Sequence, residues 1–211
     1  MSEIQSKLEF IQYSLNKLTR ENISISEIKD TYYKLFSQLH NKKTLMIAGS
    51  QGSGKSTLSL LIKTYFKKFY KKDVVILSID DFYLSSFQRE KLAIKLKTNL
   101  FHTRGVPCTH NLKLLIETVD KLKRNKFPVY IPIFDKVTDN KKKYRRKINK
   151  ADLIILEGWC VVLKPIEPLY LKKNITDLEK ISDPDVIWRT AYNQALVEYQ
   201  KLFNKFNYYI F

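Results

Sequence analysis

The sequence predicts a three-layer α/β fold, in which a parallel sheet is flanked by helices on both faces. Strongly apolar runs at 44–49, 74–80 and 152–158 are typical of buried strands. Segments of helical periodicity separate these runs, and strands that alternate with helices form parallel sheets. Since ligands on such a sheet lie beyond the carboxyl ends of the strands, we expect a binding site where these three runs end.

Two helices are predicted before the first strand. Apolar residues recur at steps of four and three over residues 4–18, which gives one apolar helix face. A second helix is expected to begin after Ser24, because Ser24 and Glu27 have the spacing of a capping box. We expect these helices to form an N-terminal unit over residues 1–40 that packs on a domain spanning residues 41–211.

The first strand runs into a loop of the form G-x-x-x-x-G-K-S, and a helix is expected from about Ser56. The glycines let successive N–H groups turn toward a phosphate, and the helix N-terminus adds positive charge. In such a loop the lysine, Lys55, reaches the β- and γ-phosphates, and the Ser56 hydroxyl binds Mg²⁺. The sequence therefore predicts a P-loop that binds a nucleoside triphosphate with Mg²⁺; a glycine-rich turn without a ligand is the alternative. Its nucleotide-binding residues are Gly49, Ser50, Gln51, Gly52, Ser53, Gly54, Lys55, Ser56 and Thr57.

The second strand ends at Asp80 and Asp81, and we expect it to lie beside the strand that leads into the phosphate loop. A carboxylate in that place can orient a substrate hydroxyl and accept its proton, which a kinase requires and a hydrolase does not. The alternative is that the two acids cap the segment that follows them.

Between the second and third strands, a helix is predicted over residues 111–124. Residues 127–135 are expected to be extended, but Pro128 and Pro132 argue against a central strand there. The basic run at 141–147 predicts either a flexible loop that closes over phosphates or a solvated charged segment.

The third strand ends at Glu157, where an acid commonly supports Mg²⁺ directly or through water; a structural role is the alternative. Residues 207–211 are expected to form a fourth strand. Trp159 and Trp188 are interpreted as packing residues.

Composition restricts the other classes of function. The net charge is +17, but the lysines are spread along the chain, and the sequence contains no basic–aromatic recognition motif. We therefore expect a charged surface and no nucleic-acid partner. No apolar run approaches the roughly 18 residues of a membrane span, and the first residues do not resemble a secretion signal. Cys108 and Cys160 give no disulfide framework, and Cys108 with His110 is too small a set for a metal site. We therefore expect a cytoplasmic protein without a membrane partner.

Five segments together resemble one kinase family: LSIDDFYLS, TRGVPCTHN, YIPIFDK, LEGWCV and DVIWRTAYNQALVEYQ. Their order and spacing are similar to those of the glycerate kinase branch of the uridine kinase and phosphoribulokinase superfamily, which includes plant D-glycerate 3-kinase and a yeast ATP-binding homologue. The resemblance covers about residues 40–211. It implies that the chain uses ATP to phosphorylate a hydroxyl of a small acid such as D-glycerate.

The resemblance also implies roles for particular residues. Asp80 matches the first acid of the family's D-D-F-Y segment and would be the catalytic base, acting with Lys55. Among the other matched residues, Arg104 is suited to hold a substrate carboxylate, because a guanidinium pairs with a carboxylate through two hydrogen bonds. The implied substrate-side residues are Asp81, Tyr83, Arg104, Thr109, His110, Asp135 and Lys136.

The chain departs from the family pattern on the acceptor side. Cys108 stands where the family has glycine, Asn111 where it has aspartate, and Val137 where it has serine. Family members also continue for several elements beyond the strand that resembles residues 207–211. These departures leave the acceptor open and favour an alternative, an ATP-binding accessory or regulatory protein with little or no turnover. A nucleic-acid-dependent ATPase is a third reading, based only on the net charge. The oligomeric state is not predicted.

Overall fold

A computed structural model describes residues 2–211 of the chain. The strands are β1 (Thr44–Ala48), β2 (Val74–Ser78), β3 (Val129–Ile131), β4 (Phe134–Asp135), β5 (Asn140–Lys141), β6 (Arg146–Ile148), β7 (Leu153–Gly158) and β8 (Tyr209–Ile210). The α-helices are α1 (Glu3–Thr19), α2 (Ile25–Ile28), α3 (Lys34–Leu39), α4 (Lys55–Tyr70), α5 (Ser86–Leu96), α6 (Leu112–Lys123), α7 (Pro168–Leu171), α8 (Asp177–Ser182) and α9 (Ile187–Phe203).

The central sheet is parallel and has the strand order β2–β7–β1–β8. Ile155 in the middle of β7 pairs with Leu45 of β1 on one side and Ile76 of β2 on the other. The expectation that the strand leading to Asp80 lies beside the phosphate-loop strand is therefore wrong. Every residue of β7 is buried, and this strongly apolar strand occupies the position between the other two.

Each face of the sheet packs against helices, which confirms the predicted three-layer fold. Alternate residues of each strand point to opposite faces, so β1 buries Met46 on one face and Leu45 on the other. The core around Met46 is completed by α6 and α9, including Leu115 and Leu202. The core around Leu45 is completed by α1, α3 and α4, whose buried residues include Ile11, Phe36 and Tyr65.

The N-terminal helices begin where their sequence signals indicate. Ser24 accepts a hydrogen bond from the Glu27 N–H, and the Glu27 side chain accepts one from the Ser24 N–H, so the capping box is formed. A π-helical turn over Lys29–Tyr33 joins α2 to α3. The apolar face of α1 contacts α4. The boundary between residues 40 and 41 stays a prediction.

Residues 127–148 form two small antiparallel pairs outside the central sheet, as the prolines indicated. Strand β3 pairs with β6, and β4 pairs with β5. The basic run at 141–147 begins in β5 and reaches into β6, and residues 142–145 between them lie outside strands and are exposed. The closure of this run over phosphates stays a prediction. Arg146 in that run donates a hydrogen bond of 2.5 Å to the carbonyl of Ile76 in β2, which fastens it to the sheet edge. Across residues 2–211, no helix combines the length and apolarity required to cross a membrane.

Candidate functional site

The phosphate loop connects β1 to α4, and its glycines adopt conformations that other residues rarely do. Gly52 has φ +83° and Gly54 has φ +85°. At Gly49, with φ +152°, a Cβ would lie 2.6 Å from Ser53 Oγ. Gly54 occupies the N-cap of α4 and has no side chain to satisfy the first-turn N–H groups. These groups can therefore donate to an anion at the helix N-terminus.

Lys55 lies over this loop, where its Nζ donates a hydrogen bond of 2.5 Å to the Ser50 carbonyl. Gln51 and Ser53 are exposed, whereas Thr57 is half-buried in the first turn of α4. The N–H of Ser53 donates to the Ser50 carbonyl at 3.2 Å, which closes the loop on itself. All nine predicted nucleotide-binding residues thus form one contiguous turn and helix start at the carboxyl end of β1.

Ser56 and Glu157 meet at the junction of α4 and β7. The Ser56 hydroxyl donates to Glu157 Oε1 at 2.9 Å, and Ser59 donates to Oε2 at 3.1 Å. Hydroxyl and carboxylate oxygens are the hard donors that Mg²⁺ prefers, and Mg²⁺ commonly uses few protein ligands together with water and phosphate oxygens. Ser56 and Glu157 therefore fit the predicted metal position. In residues 2–211, no group of three or more His, Cys, Asp or Glu side chains is arranged to hold a metal.

Asp80 lies in a 3₁₀ turn, Ile79–Phe82, directly after β2. Its Oδ2 accepts a hydrogen bond from Lys136 Nζ at 2.7 Å, and its Oδ1 accepts one from the Tyr83 hydroxyl at 3.1 Å. The structure thus brings together three of the residues predicted for the acceptor side. The Lys136 ammonium balances the charge of the carboxylate that was predicted as the base.

Asp81 turns away from Asp80. Its Oδ1 accepts a hydrogen bond of 3.2 Å from the N–H of Phe134, where β4 begins. Burial raises the pKa of Asp81. Asp81 thus links the 3₁₀ turn after β2 to the β4–β5 hairpin rather than contacting Asp80's partners.

Gly158 sets how closely β7 approaches the turn that carries Asp80. A Cβ at this position would overlap the side chain of Ile79 and lie 3.0 Å from Val161. The glycine of the L-E-G-W-C-V segment is therefore required for close packing of the two strand ends.

His110 is buried and held between two tyrosines. Its ring stacks on Tyr83 at a centroid distance of 4.4 Å, and its Nδ1 lies 2.7 Å from the Tyr199 hydroxyl. Its Nε2 is buried without a hydrogen-bond partner among residues 2–211. Burial lowers the pKa of His110 to about 3, against a smaller opposing effect of Asp80, so the imidazole is neutral at pH 7.

Acidification is expected to destabilise the fold through His110. The imidazole binds a proton near pH 6.5 in the unfolded chain and only near pH 3 in the folded one, so its contribution is complete above pH 6.5 and is lost as the pH falls toward 3. Between pH 7 and pH 5 the loss is about 2 kcal/mol. Urea unfolding of wild type and His110→Gln at both pH values checks this. The difference in stability between the two proteins should shrink by that amount at pH 5, whereas a constant difference would contradict it.

Thr109 and Asp135 bond within their own segments. The buried Thr109 hydroxyl donates to the Val106 carbonyl at 2.6 Å and accepts from the Gly105 N–H at 3.2 Å. Asp135 accepts from the Val137 N–H at 3.0 Å, and such backbone hydrogen bonds lower its pKa. Neither side chain contacts Asp80, so both shape loops beside the site.

Arg104 pairs with Asp139, a residue that the sequence reasoning did not select. Arg104 Nη1 donates to Asp139 Oδ1, and the fully buried Arg89 donates through Nη2 to Asp139 Oδ2. The aromatic ring of Phe134 lies beside both guanidinium groups, with centroid distances of 5.6 Å to Arg104 and 6.0 Å to Arg89. The predicted carboxylate-binding arginine therefore already holds a carboxylate of this chain.

The backbone conformation at Cys108 explains why the resembled family has glycine at this position. Its φ is +82°, in the left-handed region that costs a residue with a Cβ roughly 1–2 kcal/mol. Its Sγ donates a weak hydrogen bond to the Ala191 carbonyl at 3.4 Å, and burial raises its pKa to about 11.

Cys108→Gly is expected to be more stable than Cys108→Ala by about 1 kcal/mol, because both variants lose the thiol but only glycine relieves the backbone strain. Chemical unfolding of the two variants measures this difference directly. Equal stability would show that the positive φ carries no cost here.

Trp159 was interpreted from the sequence as a packing residue, but its side chain also makes a hydrogen bond. It is 40% exposed, and its Nε1 donates to the Gly105 carbonyl at 3.1 Å. This bond ties the end of β7 to the T-R-G-V-P segment. Trp188 is half-buried, and its Nε1 finds no partner within residues 2–211.

Several residues that build the site carry weak sequence signals. Ser59 could have been found, because it follows Ser56 by three positions on a helix and faces the otherwise apolar core. Arg89, Asp139 and Tyr199 are far from their partners in sequence, so no local pattern identifies them.

Taken together, a P-loop at the end of β1, an acid at the end of β7 and an acid after β2 define the class of P-loop kinases. The chain belongs to the phosphoribulokinase / uridine kinase family, whose model matches residues 44–175. The family carries ATP-dependent phosphotransferases, which agrees with the resemblance drawn from the motifs.

Two curated relatives and one solved structure illustrate this similarity. The chain is 36% identical over 155 residues to the probable ATP-dependent kinase TDA10 of Saccharomyces cerevisiae, covering 66% of this chain and 53% of that one. It is 28% identical over 194 residues to the chloroplastic D-glycerate 3-kinase of Arabidopsis thaliana, covering 80% and 39%. The chain thus spans about half the length of the curated relatives it matches.

The structure of a D-glycerate 3-kinase from Cryptococcus neoformans superposes with a TM-score of 0.70 at 21% identity, covering 99% of this chain and 72% of that one. At this identity the likeness establishes the fold, which is that of the P-loop kinases.

Proposed function

We propose that the protein is an ATP-dependent small-molecule kinase that transfers the γ-phosphate of ATP to a hydroxyl of a small acid, with D-glycerate as the first candidate. The observation that carries the proposal is the pairing of Asp80 with Lys136 and Tyr83. This group follows the carboxyl end of β2, and the phosphate loop follows the carboxyl end of the parallel strand β1. The matches to a probable ATP-dependent kinase and to a D-glycerate 3-kinase support the reaction class and suggest the acceptor.

In this proposal the phosphate loop binds the triphosphate of ATP. The loop N–H groups and the start of α4 donate to phosphate oxygens, and Lys55 leaves the Ser50 carbonyl to contact the β- and γ-phosphates. These groups oppose the negative charge that develops during transfer.

Ser56 and Glu157 would hold Mg²⁺, which, when bound, neutralises charge on the β- and γ-phosphate oxygens. Ser59 keeps Glu157 oriented toward Ser56 through the 3.1 Å hydrogen bond to Oε2. Because Glu157 is buried, this hydrogen bond also restricts its rotation.

On the acceptor side, Asp80 orients the substrate hydroxyl and accepts its proton as the hydroxyl oxygen attacks the γ-phosphorus, while the bond from the γ-phosphorus to the β–γ bridging oxygen breaks and ADP leaves. Tyr83 and Lys136 hold the two carboxylate oxygens in place. The remaining donors of Arg104 are suited to a substrate carboxylate, and the neutral His110 lies behind Tyr83.

An acceptor screen with radiolabelled ATP tests this function. Wild-type protein is incubated with Mg²⁺-ATP and a panel of small hydroxy acids, neutral polyols and nucleosides, and labelled products are separated from ATP. We expect transfer to a hydroxy acid and at most weak transfer to neutral polyols of the same length. Transfer to nucleosides alone would overturn the assignment of the acceptor class.

A second candidate is an ATP-binding accessory or regulatory protein without turnover. The observation that favours it is the occupation of Arg104 by Asp139, since this pairing reduces the charge that the site offers to an acid. Calorimetric ATP binding combined with an ADP-release assay separates the two. Tight binding without release in the presence of any acceptor would support the second candidate.

A further inference from the structure

The β4–β5 hairpin, residues 134–141, is anchored to the rest of the molecule at both ends of its turn. Lys136 enters the turn and contacts Asp80 at 2.7 Å. Asp139 leaves the turn and contacts Arg89 and Arg104. The hairpin has only two paired residues on each strand, and its second strand has weaker contacts to α5, from Asn140 to Ser86 at 3.3 Å and from Lys141 to Gln88 at 3.4 Å. The charged contacts of Lys136 and Asp139 are the ones made by the turn itself.

Arg89 is a rigid anchor for Asp139. It is completely buried, and two of its other nitrogens donate to backbone carbonyls: Nε donates to His102 at 2.9 Å and Nη1 to Leu84 at 2.7 Å. Its Nη2 also reaches the Asp139 carbonyl at 3.4 Å. A buried guanidinium requires an anion, and Asp139 is the carboxylate it contacts in the described structure, so this pair is not easily exchanged for a ligand.

Asp139 also fixes Arg104. The two carboxylate oxygens of Asp139 accept from different arginines, so one side chain joins α5, the T-R-G-V-P segment and the hairpin. Asp139 has φ +51°, a left-handed conformation that Asp adopts more readily than most residues and that directs the chain into β5.

We propose that Asp139 is a positioning residue for the acceptor side: by bridging Arg89 and Arg104, it holds the 134–141 hairpin so that Lys136 stays on Asp80 and Arg104 stays beside the acceptor. This inference rests on the proposed kinase function for its kinetic consequence. Its structural consequence, the position of Lys136, can be measured without any turnover.

The first experiment measures the reactivity of Lys136 toward an amine-acylating reagent, followed by mass spectrometry of the wild type and Asp139→Asn. Pairing with Asp80 protects the Lys136 amine. The variant should therefore label faster at Lys136, by about two- to fivefold if the hairpin is released, because the Lys136 side chain is 61% exposed in its pair with Asp80. Asp30→Asn, the same change at an exposed residue of the N-terminal helices, is the control and should leave Lys136 labelling unchanged.

The second experiment uses kinetics with the acceptor found by the screen. Asp139→Asn should raise the acceptor KM and lower kcat, together about tenfold to a hundredfold in kcat/KM, with ATP affinity within twofold of wild type. The double variant Asp139→Asn/Lys136→Met should have the same kcat as the single variant Lys136→Met. The reason is that Asp139 acts on kcat through Lys136, so its loss has no further effect once Lys136 is gone. Asp139→Glu, which keeps the charge, should recover part of the activity.

Asp139→Asn leaves the buried Arg89 without its anion and can impair folding, so the pair Arg89→Met with Asp139→Asn is tested as well. This double variant removes the charge and its partner together and should show the same increase in Lys136 labelling. Unchanged Lys136 labelling in a folded variant overturns the inference, as does a multiplicative loss of kcat in the Asp139→Asn/Lys136→Met protein. If the wild type transfers phosphate to no acceptor while labelling changes as expected, the kinase proposal fails and the positioning role stands.

Discussion

Asp80→Asn is expected to lower the rate of phosphate transfer by about a thousandfold while ATP still binds, because an amide cannot accept the proton of the attacking hydroxyl. The amide retains the size of the side chain and can still accept from Tyr83. The measurement is single-turnover transfer of labelled phosphate to the acceptor, with ATP affinity determined by calorimetry on the same preparation.

Two comparisons define the result. Lys55→Ala should weaken both ATP binding and transfer, because Lys55 belongs to the nucleotide side, and Asp30→Asn should change neither. Retention of full transfer activity by Asp80→Asn would remove Asp80 from the mechanism, even if the protein proved to be a kinase.

Asp183→Ala is expected to destabilise the protein by about 3 kcal/mol, because the buried Arg189 loses its closest anion and keeps only the longer contact of 3.8 Å to Glu179. Both side chains are only 2% exposed, and Arg189 Nε donates to Asp183 Oδ2 at 2.9 Å. The Asp183 carboxylate also accepts from the N–H groups of Trp188 and Arg189 at 2.8 and 3.1 Å, so its removal leaves the first turn of α9 uncapped.

Equilibrium unfolding in urea measures this effect. The matched control is Glu198→Ala, which breaks the exposed pair between Glu198 and Lys201 and should cost less than about 1 kcal/mol. A loss below 1 kcal/mol for Asp183→Ala would mean that water reaches Arg189 and that the pair is not part of the core.

The elements with strong local signals were predictable from the sequence. The apolar runs of the four parallel strands, the capping box at Ser24 and the glycine pattern of the phosphate loop each express a rule that acts within a few residues. The two longer helices that were missed, α5 and α9, bury charged side chains. Arg89 in α5 and Arg189 in α9 interrupt the apolar periodicity, and both are stabilised by partners that only the folded chain supplies.

The candidate site divides in the same way. The nucleotide side is contiguous in sequence, so its residues could be selected together. The acceptor side is assembled from distant segments, such as Lys136 with Asp80 and Asp139 with Arg89, so the family motifs identified most of its members but not their contacts. The sequence reasoning placed β2 beside β1 and missed that β7 lies between them. Strand order in a parallel sheet depends on the crossover connections and on burial, and a single sequence does not reveal these.

That strand order has a consequence for the chemistry. Neighbouring strands are about 4.8 Å apart, so β1 and β2, with β7 between them, are separated by roughly 10 Å. In the proposed reaction, this separation leaves width between the phosphate loop and the turn that carries Asp80 for the γ-phosphoryl group and the acceptor hydroxyl, which have to lie in line for the displacement at phosphorus.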